Sequence, residues 1–149
     1  MSKGNLNIVN KRASFEYHIS QKYVAGMQLL GTEIKSIREG NVNLNDAYCF
    51  FKENELYVRN LQIGAYRQGT HHNHEPTRIR KLLLKKTELR KIKSKSSEQG
   101  ITIVPLKLFF SETGYAKLEI GIAQGKKAFD KRQDIKKRDV EREIQRYKD

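Results

Sequence analysis

The sequence predicts a mainly β protein, a small and mostly antiparallel barrel or curled sheet with two helices, carrying a basic C-terminal tail. Three observations predict it. Residues 101–110 and 115–123 each alternate apolar and polar side chains around the turn Ser111-Glu112-Thr113-Gly114. Thr102, Val104, Leu106, Leu108 and Phe110 fall on one face of the first run, and Ala116, Leu118, Ile120 and Ile122 on one face of the second, which is the period-two signature of a hairpin. A second hairpin is written in Ala47-Tyr48-Cys49-Phe50-Phe51, the turn residues Glu53-Asn54-Glu55, and Leu56-Tyr57-Val58-Arg59. The third observation is that apolar residues become sparse from Gly125 onward. Residues 1–124 therefore read as a folded carrier and residues 125–149 as a tail.

Taken in order, residues 1–9 are polar. Phe15, Tyr17 and Ile19 alternate and predict a short strand after Asn10-Lys11-Arg12-Ala13. Val24 to Leu30 predicts another, with Gly26 as a bulge or a point of close approach. Thr32 is placed to N-cap a helix over Glu33–Glu39, with the acid Glu33 in its first turn, Arg38 in its last and Gly40 as the stop. Ile34 and Ile37 then face the core, and Lys35 and Arg38 face solvent or a ligand. Leu61 to Tyr66 extends the sheet, and Gln68 to Glu75 is a polar loop closed by Pro76-Thr77. From Thr77 to Ile92 the spacing of Ile79, Leu82, Leu83 and Leu89 predicts a helix of about four turns. Arg78, Arg80, Lys81, Lys85 and Lys86 crowd its first half, against the preference of a helix N-terminus for acids, which hints at phosphate. Lys93 to Gly100 reads as a loop. Pro105 marks an edge or a bulge in the strand 101–110.

The chain has 149 residues, with 30 Lys and Arg against 17 Asp and Glu, a formal net charge of +13. That balance points to a polyanion, nucleic acid before membrane. No apolar run approaches ~20 residues, so no membrane partner is expected. Met1–Asn7 lacks an apolar signal region, and the single Cys49 excludes an internal disulfide and fits a reducing, cytoplasmic setting. A monomer is the default. Neither a metal nor another cofactor is expected. His71, His72 and His74 are clustered, but Cys49 is alone and no pair stands at metal-ligand spacing. No acidic metal cluster, nucleophile–base pair or phosphate-binding glycine loop marks an enzyme, and no catalytic residue is assigned. Seven Tyr and six Phe among the bases suit unstacked RNA, on which aromatic stacking is worth about 1–3 kcal/mol per base. In the tail, Val140, Ile144 and Tyr147 make a thin helical stripe, and Asp134 precedes Arg138 at the favourable i, i+4 spacing. Such a segment forms a marginal helix alone in water. Phe129 stands there among bases, either to stack on a base or to tuck back onto the barrel. Three classes follow: an RNA-binding adaptor, a resident ribosomal protein, and a small ribonuclease using the histidine loop.

The motifs discriminate further. Asn10-Lys11-Arg12-Ala13 with Tyr17, Ala25-Gly26-Met27, Gly31-Thr32-Glu33-Ile34-Lys35-Ser36-Ile37-Arg38, Asn43-Leu44-Asn45-Asp46-Ala47-Tyr48, Glu75-Pro76-Thr77-Arg78-Ile79-Arg80-Lys81-Leu82-Leu83-Leu84 and Gly125-Lys126-Lys127-Ala128-Phe129-Asp130-Lys131-Arg132 together resemble the SmpB (SsrA-binding protein) family of bacterial trans-translation. The resemblance runs from about Asn10 to Arg138. It implies an OB-like β-barrel with two or three short helices and a tail disordered when free and helical on the ribosome. It implies binding to the tRNA-like domain of tmRNA, passage with EF-Tu to a stalled 70S ribosome, and insertion of the tail into the empty decoding site and mRNA channel, so that the nascent peptide is tagged. Carried onto this chain, the tmRNA-facing residues are Asn10, Lys11, Arg12, Tyr17, Lys35, Arg38, Tyr48, Arg78, Arg80, Lys81 and Leu83. The ribosome-facing ones are Lys126, Lys127, Phe129, Asp130, Lys131, Arg132, Lys136, Lys137 and Arg138. Two positions depart from the pattern. Phe129 stands where the family tends to carry His or Tyr, and Val24 where many relatives carry an acid.

Overall fold

The computed structural model describes residues 6–68 and 73–125, together with Arg132 and Arg142. Along the chain run β1 (Asn7–Val9), α1 (Lys11–Glu16), β2 (Tyr17–Met27), α2 (Gly31–Arg38), β3 (Val42–Asn43), β4 (Tyr48–Lys52), β5 (Glu55–Arg59), β6 (Gln62–Ile63), β7 (Arg80–Leu83), α3 (Lys86–Ser96), β8 (Ile101–Phe110) and β9 (Ala116–Gly125). Seven strands follow the order β1-β8-β4-β5-β7-β2-β9, all pairings antiparallel, and β8 also pairs with β9. That last pairing closes the strands from β8 round to β9 into a barrel, with the short β1 added alongside β8. β3 and β6 form a separate two-stranded sheet.

Both expected hairpins are present. Lys52 pairs with Glu55, and the two residues between them, Glu53 (φ 52°) and Asn54 (φ 68°), have positive φ. Two consecutive left-handed residues are what a tight two-residue hairpin turn needs to match strand twist. The β8–β9 ladder runs from Ile101↔Gln124 to Phe110↔Ala116, with a register shift between Pro105 and Lys107. Pro105 thus sits in a bulge, as its missing N–H requires. The bulge also changes which face points inward. Ile103 precedes it and Leu108 and Phe110 follow it into the main core, whereas Val104 packs outside with Ala13 and Ala123. The expectation of one continuous apolar face from Thr102 to Phe110 is corrected accordingly.

Other elements differ from the sequence reading. Phe15 belongs to α1, not to a strand, because Asn10 starts a helix there: its Oδ1 accepts the Ala13 N–H at 3.2 Å. The two expected strands 15–19 and 24–30 are one strand, β2, laid along β9 from Tyr17↔Gly125 to Gly26↔Lys117. The N-cap of α2 is Leu30, whose N–H is taken by Glu33 Oε1 at 2.7 Å, and Thr32 is used elsewhere. The stop at Gly40 holds, with φ +78°. From Leu61 to Tyr66 only Gln62–Ile63 is strand, and it pairs with β3.

The largest correction is the helix expected over Thr77–Ile92. Its first half is β7, inserted between β5 and β2 through Val58↔Arg80 and Met27↔Leu82. Arg80 and Leu82 point inward with no exposed surface, while Leu83 points out and is 47% exposed. The helix-forming residues here yield to a barrel that cannot close without a strand at this place. The helix starts only at Lys86 and runs on to Ser96, through part of the expected loop, with Leu89 and Ile92 buried in the main core.

Candidate nucleic-acid interface

The interior of the barrel rules out some candidates before the surface is considered. Asn10 is 5% exposed, and its amide donates to the carbonyls of Pro105 at 2.8 Å and Leu44 at 3.3 Å while capping α1. It ties three chain segments together and cannot face RNA. Arg80 has no exposed surface. Its guanidinium pairs with Glu33 and donates to the carbonyl of Leu61 at 2.6 Å and of Pro76 at 3.1 Å. Arg80 is therefore withdrawn as an RNA contact. It anchors α2 and the chain before β7 to the barrel. Arg78 is one-third exposed and reaches the same carboxylate, with Nη2 2.6 Å from Glu33 Oε1. Burial pushes the Glu33 carboxyl up, but the Arg78 hydrogen bond, the Leu30 N–H and Arg80 outweigh it and hold the group below its ordinary value.

Three surface groups remain. The first flanks α1. Arg12, Tyr17 and Tyr48 line a cleft of about 190 Å³ with Glu16 and Asp46. Arg12 is tied there to Asp46 at 2.8 Å and Glu16 at 3.6 Å, so an RNA phosphate would have to compete with two carboxylates. Lys11 is exposed beside it. The second lies on α2, where Lys35 and Arg38 are exposed one turn apart. Lys35 Nζ stands over the Tyr66 ring at 5.4 Å and the Arg38 guanidinium over the Phe110 ring at 5.7 Å. These cation–π contacts hold the charged heads in place without neutralising them. The third is a groove of about 180 Å³ lined by Gly26, Leu29, Leu83, Phe110, Tyr115 and Lys117, among others. Leu83 contributes an exposed apolar side chain here, so its role is not core packing. Gly26 lets β7 approach: a Cβ at that position would stand 3.3 Å from Leu83 Cβ. Tyr115, 69% exposed in the same groove, is missed by the sequence reading, although its place immediately after the Gly114 turn is a signal. Lys81, one-third exposed, faces Glu55 at 3.9 Å.

The histidine loop is structural where it is described. His74 is buried, with Nε2 2.8 Å from the Ile63 carbonyl and Nδ1 2.9 Å from Thr32 Oγ1. Since the carbonyl only accepts, Nε2 carries hydrogen, and both ring nitrogens are in use. His71 and His72 lie outside the described residues. Among the described residues no cluster of three or more His, Cys, Asp or Glu could hold a metal ion, and no helix is long and apolar enough to cross a membrane. Of the tail candidates, Lys126, Lys127, Phe129, Asp130, Lys131, Lys136, Lys137 and Arg138 also lie outside the described residues. Arg132, like Arg142, is helical and exposed.

A surface of separated bases and exposed apolar side chains on a closed barrel fits RNA better than a small molecule, and comparison with known proteins decides the family. A model of the SmpB protein family matches residues 7–149. The chain belongs to the SmpB family. It is 51% identical over 144 residues to the SsrA-binding protein of Cytophaga hutchinsonii, covering 97% of this chain and 94% of that one. It is 47% identical over 148 residues to the SsrA-binding protein of Geobacillus kaustophilus, covering 98% and 95%. Among solved structures it resembles a chain from "tmRNA-SmpB: a journey to the center of the bacterial ribosome", with a TM-score of 0.70 and 47% identity over 82% of this chain and 85% of that chain. The SmpB barrel is thus the fold of this chain. One departure from the family pattern has a local setting: Val24 is exposed on β2 directly opposite Glu119 of β9, so a carboxylate stands on the neighbouring strand.

Proposed function

We propose that this chain is the RNA-binding adaptor of trans-translation: it binds tmRNA and brings it to ribosomes stalled without a stop codon. The observation that carries this reading is its likeness to SsrA-binding proteins over nearly the full length of both chains. It works by binding and not by catalysis. The barrel, residues 1–124, takes the tRNA-like domain of tmRNA through the α1 cleft (Lys11, Arg12, Tyr17, Tyr48), the α2 bases (Lys35, Arg38) and the outer face of β7 (Lys81, Leu83), with Arg78 at its margin. Asn10 and Arg80 act by holding those elements in place. The tail, residues 125–149, enters the empty decoding site and mRNA channel, where Lys126, Lys127, Asp130, Lys131, Arg132, Lys136, Lys137 and Arg138 meet ribosomal RNA and Phe129 stacks on a base. The chain works as a cytoplasmic monomer and reaches the ribosome with EF-Tu on the alanylated tmRNA. The net charge of +13 and the aromatic residues among the bases support an RNA partner.

The test is a gel-shift titration against the tRNA-like domain of tmRNA and an ordinary tRNA at low and near-physiological salt. Preference for the tmRNA domain that survives added salt is expected, because shape-specific contacts persist when counterion release weakens. Equal binding to both RNAs that collapses with salt would overturn the reading.

A further inference from the structure

The cleft beside α1 combines features that an RNA-facing surface alone does not explain. Buried Ala13 and Val104 line it together with the rings of Tyr17 and Tyr48, and Arg12 pairs there with both Glu16 and Asp46. Two carboxylates against one guanidinium make the cleft locally acidic on a chain of net charge +13. The Asp46 side chain is 76% exposed and that of Glu16 37%, so both stay open to a further cation. Such a pair repels phosphate and attracts Lys. The cleft measures about 190 Å³, and a cavity of about 150 Å³ takes up a benzene ring. It therefore has room for one aromatic side chain.

The path of the chain selects the occupant. β9 ends at Gly125, which pairs with Tyr17 of the cleft. Gly125 is exposed, and a Cβ there would meet nothing within 4 Å, so the chain leaves β9 into open space. Lys126, Lys127 and Phe129 follow within four residues, a reach of about 13 Å. Two amines thus stand close to two carboxylates that share one guanidinium, and one ring stands close to a cleft of its size. A segment tethered this near acts at an effective concentration on the order of 1 mM, so weak contacts suffice to hold it. We infer that in the RNA-free chain residues 126–129 dock in the α1 cleft, with Lys126 and Lys127 toward Glu16 and Asp46 and Phe129 against the Tyr17 and Tyr48 rings, and that tmRNA entering the cleft displaces them. The contact is autoinhibitory: the tail is released for the decoding site only when tmRNA is bound, so a chain without tmRNA does not occupy a ribosome unproductively. The displacement step rests on the proposed function above; the docking does not.

The chain has no Trp, so Phe129→Trp places a single reporter at the docking ring. Acrylamide quenching of its fluorescence is measured in the whole chain, alone and with the tRNA-like domain of tmRNA or an ordinary tRNA. A free peptide of residues 125–149 with the same substitution is the reference. In the RNA-free chain the quenching constant is expected to lie about threefold below that of the peptide. Adding Glu16→Lys with Asp46→Lys should raise it to the peptide's value. Adding Lys126→Glu with Lys127→Glu to that chain should restore the shielding, which a change in folding would not do. In the unaltered cleft, tmRNA should release the ring and raise the constant about twofold or more. A constant equal to the peptide's in the absence of RNA overturns the docking. So does shielding that survives the two Lys substitutions, or a charge swap that fails to restore it. Shielding that saturating tmRNA leaves unchanged overturns the displacement. Shielding that ordinary tRNA relieves as readily as tmRNA supports the docking and sinks the adaptor reading instead.

Discussion

Replacing Glu33 by Gln keeps the shape of the side chain and removes the one charge that neutralises Arg80 inside the barrel. Both side chains have no exposed surface, and Arg78 shares the same carboxylate. Removing one partner of a buried ion pair costs about 3–5 kcal/mol, because the other charge is left without either partner or water. On a domain whose whole stability is about 5–15 kcal/mol, that is about a fifth of the total or more. The midpoint of thermal unfolding should fall by about 10–20 °C. Replacing the pair together, Glu33→Leu with Arg80→Met, should recover only part of this: apolar packing substitutes for the pair, but the Leu61 and Pro76 carbonyls and the Leu30 N–H lose their side-chain partners. The wild type also carries a pH signature. Its Glu33 is held below the unfolded carboxyl value of about 4.3, so the carboxylate contributes stability that is fully present above that pH. That contribution is lost as pH falls through the lower folded value, while Arg80 stays charged throughout. Unfolding followed by circular dichroism from pH 7 to pH 3 should therefore show a stability loss in the wild type that E33Q lacks. A shift of under 1 °C in E33Q at pH 7, or an acid profile parallel to wild type, would refute the account of a buried pair joining α2 to β7.

Two further outcomes follow from the same geometry. Asn10→Ala removes the α1 cap and leaves the carbonyls of Pro105 and Leu44 without their donor, a loss of about 2 kcal/mol measurable by urea unfolding. Removing residues 125–149 should leave the barrel folded and tmRNA affinity within a few fold while abolishing tagging on stalled ribosomes in a reconstituted assay. A loss of tmRNA affinity by orders of magnitude would refute the division of labour between barrel and tail.

The sequence by itself determined the hairpins, an irregularity at Pro105 (edge or bulge), the stop at Gly40 and the RNA-binding chemistry, and the register of β8 on β9 made that irregularity a bulge. Period-two alternation, a proline with no N–H, a glycine free to take positive φ and a large net charge act locally or through composition, so they are legible without a fold. The tertiary structure decided what depends on a neighbour distant in sequence. Residues 80–83 are strand because β5 and β2 leave one place between them, whatever their helical propensity. Arg80 is internal because Glu33, forty-seven residues earlier, waits inside to receive it. His74 is structural because Thr32 and the Ile63 carbonyl occupy both its nitrogens. A base reads the same in sequence whether it faces phosphate or a buried carboxylate, and burial, which only closure of the barrel creates, separates Arg80 from Lys35 and Arg38.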